Sequence, residues 1–387
     1  MAKDKGKPET IAVHAGHMSA EHFGAVNTPV YRASTILFPT LDAMESRDKP
    51  YVYGRRGTPS SRSLEDAVTA LEGGARTVLC PSGANAIATA ILSVCRAGDH
   101  LLMVDSCYNP TRIFCDKLLK RFGVETTFYD PAIGAGIESL FRPNTTAVFC
   151  ESPGSLTFEI QDVPAIARVA HAKGASVLLD NTWATPLYFN AFAHGVDLSI
   201  LAATKYVGGH ADLMMGYVCA NTSHEARLHA THDELGLCSS GDDCFLALRG
   251  LRTMPLRLKQ HQETALKLAR WPAMRPEVER VLHPALEGDP GHAIWKRDFA
   301  GACGLFGVVL KPVAHHALAA FMDNLELFGM GFSWGGYESL IVTSHTHRTA
   351  KPFHTDGPLI RIHAGLENAD DLIADLEQGF ARMARAS

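Results

Sequence analysis

The chain has 387 residues, 46% hydrophobic and 20% charged, which is ordinary globular composition with length enough for a large core and two or three domains. The net charge of −5 is small and Lys and Arg are spread along the chain, so neither a nucleic-acid partner nor a membrane surface is expected. No apolar run approaches the roughly 18 residues of a membrane span, and the charged residues 1–10 have no apolar stretch behind them, so the chain reads as cytoplasmic without a secretory signal.

Residues 1–57 are rich in Pro, Tyr, Arg and Gly and show weak periodicity beyond a short helical stretch at 41–47. They read as an extended arm. Alone, such an arm buries too little to offset its ordering entropy, so it is expected to lie across a neighbouring subunit. From Ser61 the pattern changes: Leu64, Val68 and Leu71 fall at helical spacing, and Gly73-Gly74 ends that helix. Short apolar runs then follow at 76–80, 100–105, 125–129, 146–151, 176–180, 198–202 and 214–219, with helical segments at 84–96, 111–122 and 163–173. Steady alternation of this kind predicts βαβ units, hence an α/β domain with a mainly parallel sheet sandwiched by helices. Two of the runs end in a carboxylate, Asp105 and Asp180, and open α/β sheets bind ligands beyond the carboxyl ends of their strands.

Near residue 250 the character shifts again. A basic helical stretch at 246–258, strands at 304–310 and 340–343, and helices at 316–324 and 368–384 predict a smaller C-terminal α+β domain. The expected division is an arm at 1–57, a large domain at 58–250 and a C-terminal domain at 251–387. The nine cysteines form no Cys-x-x-Cys pair and sit mostly in apolar runs, so they read as reduced, buried small hydrophobes, with no zinc or disulfide framework.

Three features carry the chemistry. Thr204-Lys205-Tyr206 follows the apolar run at 198–203 and precedes two glycines. By itself Lys205 reads more readily as a surface lysine past a strand end, but burial would lower its pKa and make it a nucleophile or Schiff-base former. Pro81-Ser-Gly-Ala84 leaves a strand and opens a helix, whose free N–H groups could take an anion. Asp180 ends an apolar strand 25 residues before Lys205, with one βα excursion between, so the two could face one cleft. Alone it reads equally as a helix cap. A lysine, a carboxylate and a phosphate-binding helix start at one sheet edge suit pyridoxal phosphate, which needs an amine for its aldehyde, an anion for its ring nitrogen and donors for its phosphate. Tyr108, just past the run at 100–105, could stack on that ring.

Further segments carry a resemblance: Tyr53-Gly-Arg-Arg-Gly-Thr58, Leu71-Glu-Gly-Gly74, Glu151-Ser-Pro-Gly154, Asp180-Asn-Thr-Trp-Ala184, Ala203-Thr-Lys-Tyr206, Ser333-Trp-Gly-Gly-Tyr-Glu-Ser339 and Leu359-Ile-Arg-Ile-His363. Over nearly its whole length the chain resembles the Cys/Met-metabolism family of pyridoxal-phosphate enzymes, and within it the bacterial β-lyases more than the γ-synthases and γ-lyases. The resemblance implies the fold type I of aspartate-aminotransferase-like enzymes and a C–S β-lyase acting on L-cystathionine, in a homotetramer built as a dimer of dimers. Lys205 would hold the cofactor and move protons, Asp180 would pair with its ring nitrogen, and Tyr108 would stack on the ring. Gly83, Ala84 and Thr204 would hold the phosphate, and Tyr53 and Arg55 would reach in from a neighbouring subunit. Tyr53 or Tyr108 would assist by taking the substrate amine proton. Arg361 would clamp the substrate α-carboxylate, helped by Ser333 and Trp334. Ala202 departs from many relatives, which carry a serine phosphate ligand there. A γ-lyase or γ-synthase, and a catalytically silent regulatory protein on the same fold, are the alternatives.

Two other motifs carry less. Gly331-Phe-Ser-Trp-Gly335 has the spacing of a hydrolase nucleophile elbow, but no helix is predicted after Ser333. His345-Thr-His347 lacks the spacing of a metal site and reads as solvated histidine.

Overall fold

A computed structural model describes residues 6–386; the first five residues of the expected arm and Ser387 lie outside that range. The large sheet has seven strands: β1 (Arg76–Cys80), β2 (His100–Val104), β3 (Glu125–Tyr129), β4 (Thr145–Glu151), β5 (Ser176–Asp180), β6 (Leu198–Leu201) and β7 (Gly216–Ala220). Their order is β1-β7-β6-β5-β4-β2-β3. All neighbours are parallel except β7, which runs antiparallel to both β1 and β6. β2, β6 and β7 are buried along their whole length, as expected for central strands covered on both faces.

Local chemistry sets the helix boundaries. Helix Pro59–Glu72 starts at Thr58, whose hydroxyl takes the Ser61 N–H, and stops at Gly73 with φ of 73°. The segment expected as one helix at 111–122 is instead an α-helix, Asn109–Ile113, continued by wider π-type winding over Phe114–Leu119. Strand β7 starts later than expected, because Met214 is exposed and the backbone of Met215 is bonded to Thr204.

The second sheet has four antiparallel strands, β8 (Val278–Leu282), β9 (Leu305–Leu310), β10 (Leu340–Ser344) and β11 (Leu359–His363), in the order β10-β11-β9-β8. Helices His315–Met322 and Ala369–Ala386 pack on it through Phe321, Leu372, Leu376 and Phe380. The two sheets are joined by one helix of 30 residues, Gly241–Arg270. Its first half contributes Ala247, Leu251 and Met254 to the large core and its last turns contribute Ala265 and Leu268 to the small one. The expected division after residue 250 therefore falls inside one continuous helix.

The arm is only partly extended. Helix Pro8–His14 packs on its own chain, with Ala12 and Ala15 fully buried and their carbonyls accepting 2.8 Å bonds from Arg252. Beyond it, Phe23, Val26, Leu37, Leu41 and Met44 are all exposed. Eight of the nine cysteines are buried free thiols and Cys238 is exposed. Among the described residues no helix is long and apolar enough to cross a membrane.

Candidate active site

Asp180 is the last residue of β5 and lies beside Ile200 of the parallel strand β6. Strand β6 ends at Leu201, and the turn after it, closed by a 3.0 Å bond from Lys205 N–H to Ala202 O, delivers Lys205 to the same sheet edge. The Lys205 Nζ donates to Ser333 Oγ at 2.6 Å and sits 5.3 Å from the Trp334 ring centre. Burial pulls this amine down to about 8; the nearby Arg361 charge pulls the same way, and Asp180 opposes both. An amine at about 8 is neutral in roughly a tenth of molecules at pH 7, against fewer than about one in a thousand for an ordinary lysine. In cofactor-free protein, reaction of Lys205 with an amine-directed acylating reagent should therefore rise with a midpoint near 8. A midpoint at the ordinary lysine value, read by peptide mass spectrometry, would contradict this electrostatic account.

Asp180 is buried, and Thr182 donates to its Oδ1 twice, from N–H at 3.0 Å and from the hydroxyl at 2.5 Å. Burial raises its carboxyl, while the Thr182 bonds and the Lys205 charge hold it back. Glu151 of β4 stands beside it in register and accepts the Tyr108 N–H at 2.7 Å. Burial first, and the neighbouring Asp180 second, push Glu151 well above the usual carboxylate range. Of this adjacent pair, Asp180 is the carboxyl with hydroxyl and lysine partners for a negative charge, and Glu151 is the one driven to keep its proton.

The helix start expected at Ser82 is present. Ser82 caps helix Gly83–Val94 by taking the Asn85 N–H at 3.1 Å, and its carbonyl takes the Ala86 N–H. That leaves Gly83 and Ala84 as the first helical residues, whose N–H groups have no intrahelical acceptor. A Cβ on Gly83 would lie 2.5 Å from the Ala202 Cβ, so only glycine lets the helix start close onto the end of β6. The Thr204 hydroxyl is committed, donating to Met215 O at 3.1 Å and accepting Met215 N–H at 3.0 Å. A phosphate oxygen would have to win that donor from a carbonyl.

Arg361 on β11 brings the small sheet to the site. It is half-buried, donates to Ser333 O at 2.9 Å, and has its pKa lowered mainly by burial. Tyr108 is 46% exposed at the start of helix Asn109–Ile113; burial raises its phenol, Glu151 and Asp180 add to that, and Arg361 opposes. The chain thus gathers Lys205, Asp180, Tyr108, Arg361, Ser333 and Trp334, with the helix start at Gly83 beside the turn into Lys205. It does not gather Tyr53 and Arg55. Arg55 donates to Asp233 O at 3.2 Å, and both line a separate pocket with Tyr31, Arg62 and His232, to which neither Lys205 nor Asp180 contributes.

Several residues shape the site in roles that the sequence did not assign, and Asp105, expected as a ligand-facing strand end, serves the fold instead. Asp105 is a tie between the two sheets: it pairs with buried Arg112 and accepts the N–H groups of Thr349, Ala350 and Lys351. Glu151 anchors Tyr108, and His363 accepts the Gly335 N–H at 3.1 Å. Ser333 lies in a loop followed by strand β10, not by a helix, and its hydroxyl meets a lysine, so the hydrolase-like spacing has no elbow behind it. His345 and His347 are exposed.

The donor set fits pyridoxal phosphate: one partly desolvated amine for an aldehyde, one buried carboxyl on the adjacent strand for a ring nitrogen, and free N–H groups at a helix start whose glycine admits no side chain. The family model for Cys/Met metabolism PLP-dependent enzymes matches residues 9–381. The chain belongs to this family. Its cofactor is accordingly pyridoxal phosphate and its fold is type I. Among members of the family, a putative cystathionine beta-lyase of Rhizobium johnstonii is 52% identical over 377 residues, covering 96% of this chain and 95% of that protein. The cystathionine beta-lyase MetC of Escherichia coli (strain K12) is 45% identical over 390 residues, covering 97% and 99%. The solved structure of a cystathionine gamma synthase from Xanthomonas oryzae pv. oryzae, in complex with aminoacrylate and cysteine, superposes with a TM-score of 0.92 at 31% identity, covering 99% of this chain and 100% of that one.

Proposed function

We propose that this enzyme is a C–S β-lyase that splits L-cystathionine, with water, into L-homocysteine, pyruvate and ammonia, and that cysteine and cystine, which carry the same Cβ–S bond, also fit its chemistry. The observation that carries the reading is the Lys205 amine, drawn down to about 8 and held by Ser333 between Asp180 and Arg361. The relatives at 52% and 45% identity, both named as β-lyases, support the β position over the γ.

Bound pyridoxal phosphate supplies an electron-poor ring that spreads the negative charge left at the substrate Cα. Asp180 would stand at the ring nitrogen, Tyr108 on the ring face, and Gly83 and Ala84 N–H with Thr204 at the phosphate. Arg361 would hold the substrate α-carboxylate through its free guanidinium edge, on a loop set by Ser333 and Trp334. Lys205, neutral when it acts, takes the Cα proton and delivers one to the departing sulfur. Its hydrogen bond to Ser333 keeps Nζ from swinging away, and a base near neutrality is the best compromise between availability and strength. Tyr108, or Tyr53 from a neighbouring subunit, would take the substrate amine proton.

The reading includes a cytoplasmic homotetramer, a dimer of dimers with shared sites. The exposed Tyr53, Leu37 and Phe23 of the arm support a partner there, and Arg55 would serve the partner's cofactor. Pyruvate release from L-cystathionine by the loaded enzyme tests the activity. Mixing Arg55→Ala with Lys205→Ala, each inactive or weak alone, should restore up to about a quarter of wild-type activity through hybrid dimers. Absence of any restoration would confine Arg55 to its own subunit.

A further inference from the structure

Arg361 and His363 lie two residues apart on β11 and so share one face of the strand. Both grip the same loop. Arg361 donates to Ser333 O at 2.9 Å, and Gly335 N–H donates to His363 Nε2 at 3.1 Å. The loop rests directly on the lysine: Ser333 Oγ receives Lys205 Nζ, and a Cβ on Gly335 would come within 3.1 Å of three Lys205 atoms. Ser333 and Gly335 have φ of 78° and 86°, and for serine that left-handed conformation is unfavourable unless the surroundings hold it. The Gly335 N–H is buried, so without its acceptor it would be stranded.

We propose that His363 is a positioning residue for Lys205, whose bare Nε2 takes the Gly335 N–H and so fixes the loop that holds the lysine amine. The inference rests on Lys205 being the proton-transfer group. The Gly336 carbonyl also lies 3.2 Å from Nε2 and would call for a proton there. The Gly335 N–H pointing at Nε2 calls for a lone pair there, which leaves the proton on Nδ1, a buried nitrogen with no hydrogen-bond partner among the described residues. The groups facing the ring are His261 at 5.2 Å, whose Nδ1 is bonded to Ala364 O, the Tyr206 ring at 6.1 Å, and Arg361. Burial above all, then His261 and Arg361, bring the imidazole down to about 3, so it remains the neutral acceptor at any working pH.

The test compares His363→Leu with His363→Gln in the enzyme loaded with pyridoxal phosphate. Glutamine offers a carbonyl acceptor at similar reach; leucine offers none. His363→Leu should lower kcat on L-cystathionine roughly tenfold to a hundredfold with KM little changed, and should speed amide exchange in the peptide covering 333–337. His363→Gln should recover most of kcat and the slow exchange. Unchanged kcat and exchange in the leucine variant, a glutamine variant as impaired as leucine, or a loss confined to KM would each overturn the proposal. Should the leucine variant fail to fold, the glutamine variant decides, since a large kcat loss there contradicts the acceptor role. If the wild type releases no pyruvate from cystathionine, the lyase reading fails separately, while the exchange comparison still reports on the loop.

Discussion

Replacing Lys205 with alanine is expected to leave a folded protein that shows no visible absorbance from a lysine-bound cofactor and releases no measurable pyruvate from cystathionine. Lys205 is half-buried, and its polar contact is one hydrogen bond to Ser333 Oγ. Truncation therefore strands one hydroxyl in a part-exposed cleft and should cost little stability. The functional loss is large for two reasons that add. The covalent anchor for the aldehyde disappears, and so does the proton-transfer group, which alone supplies about 10²–10⁴-fold. The variant also removes the cation that helps keep Asp180 ionised, so a free amine added from solution should rescue little. A visible spectrum and a rate equal to wild type would remove Lys205 from the mechanism.

Arg361→Ala is the second large effect. A charge-assisted pair with a substrate carboxylate contributes about 1.5–3 kcal/mol, so KM for cystathionine should rise roughly tenfold to 150-fold. A second consequence follows from its neighbours. Arg361 pulls the Lys205 amine down and ties Ser333 O. Without its charge the Lys205 pKa rises, and the neutral base becomes scarcer at a given pH. Activity that depends on neutral Lys205 increases as pH climbs through that pKa, so the rising limb of the kcat profile should move to higher pH in the variant. Arg361→Lys keeps the charge but loses the fork, and should restore the pH profile better than it restores KM. Unchanged KM in Arg361→Ala would place the carboxylate clamp elsewhere.

Much of this was legible in the sequence because its signals are local. Most strands of the large sheet are short apolar runs, Asp180 ends one of them, and Lys205 follows the next; their adjacency follows from one βα excursion. What escaped depends on contacts distant in sequence. Strand β11, Leu-Ile-Arg-Ile-His, spends two of its five positions on polar side chains that serve the site, so apolar patterning alone does not mark it. Strand β8, Val-Glu-Arg-Val-Leu, is half-exposed. Helix Glu225–Glu234 buries only Leu228 along its length and gives almost no periodic signal. Asp105 looked like a ligand-facing strand end, and only the fold reveals that Arg112 and the backbone of 349–351 already claim its carboxyl. Thr204 shows the opposite case: the residue sits where the resemblance put it, yet its hydroxyl serves Met215. Tyr53 and Arg55 belong to the expected site only if a second subunit brings them there.

The central claim, cleavage on the β side of sulfur, is tested most directly by following L-cystathionine labelled with ¹³C in its three-carbon arm by NMR in the presence of the loaded enzyme. β-Cleavage sends the label into pyruvate and leaves unlabelled homocysteine carrying the sulfur. Label retained in cysteine, with a four-carbon oxo acid appearing unlabelled, would mean γ-cleavage and contradict the account.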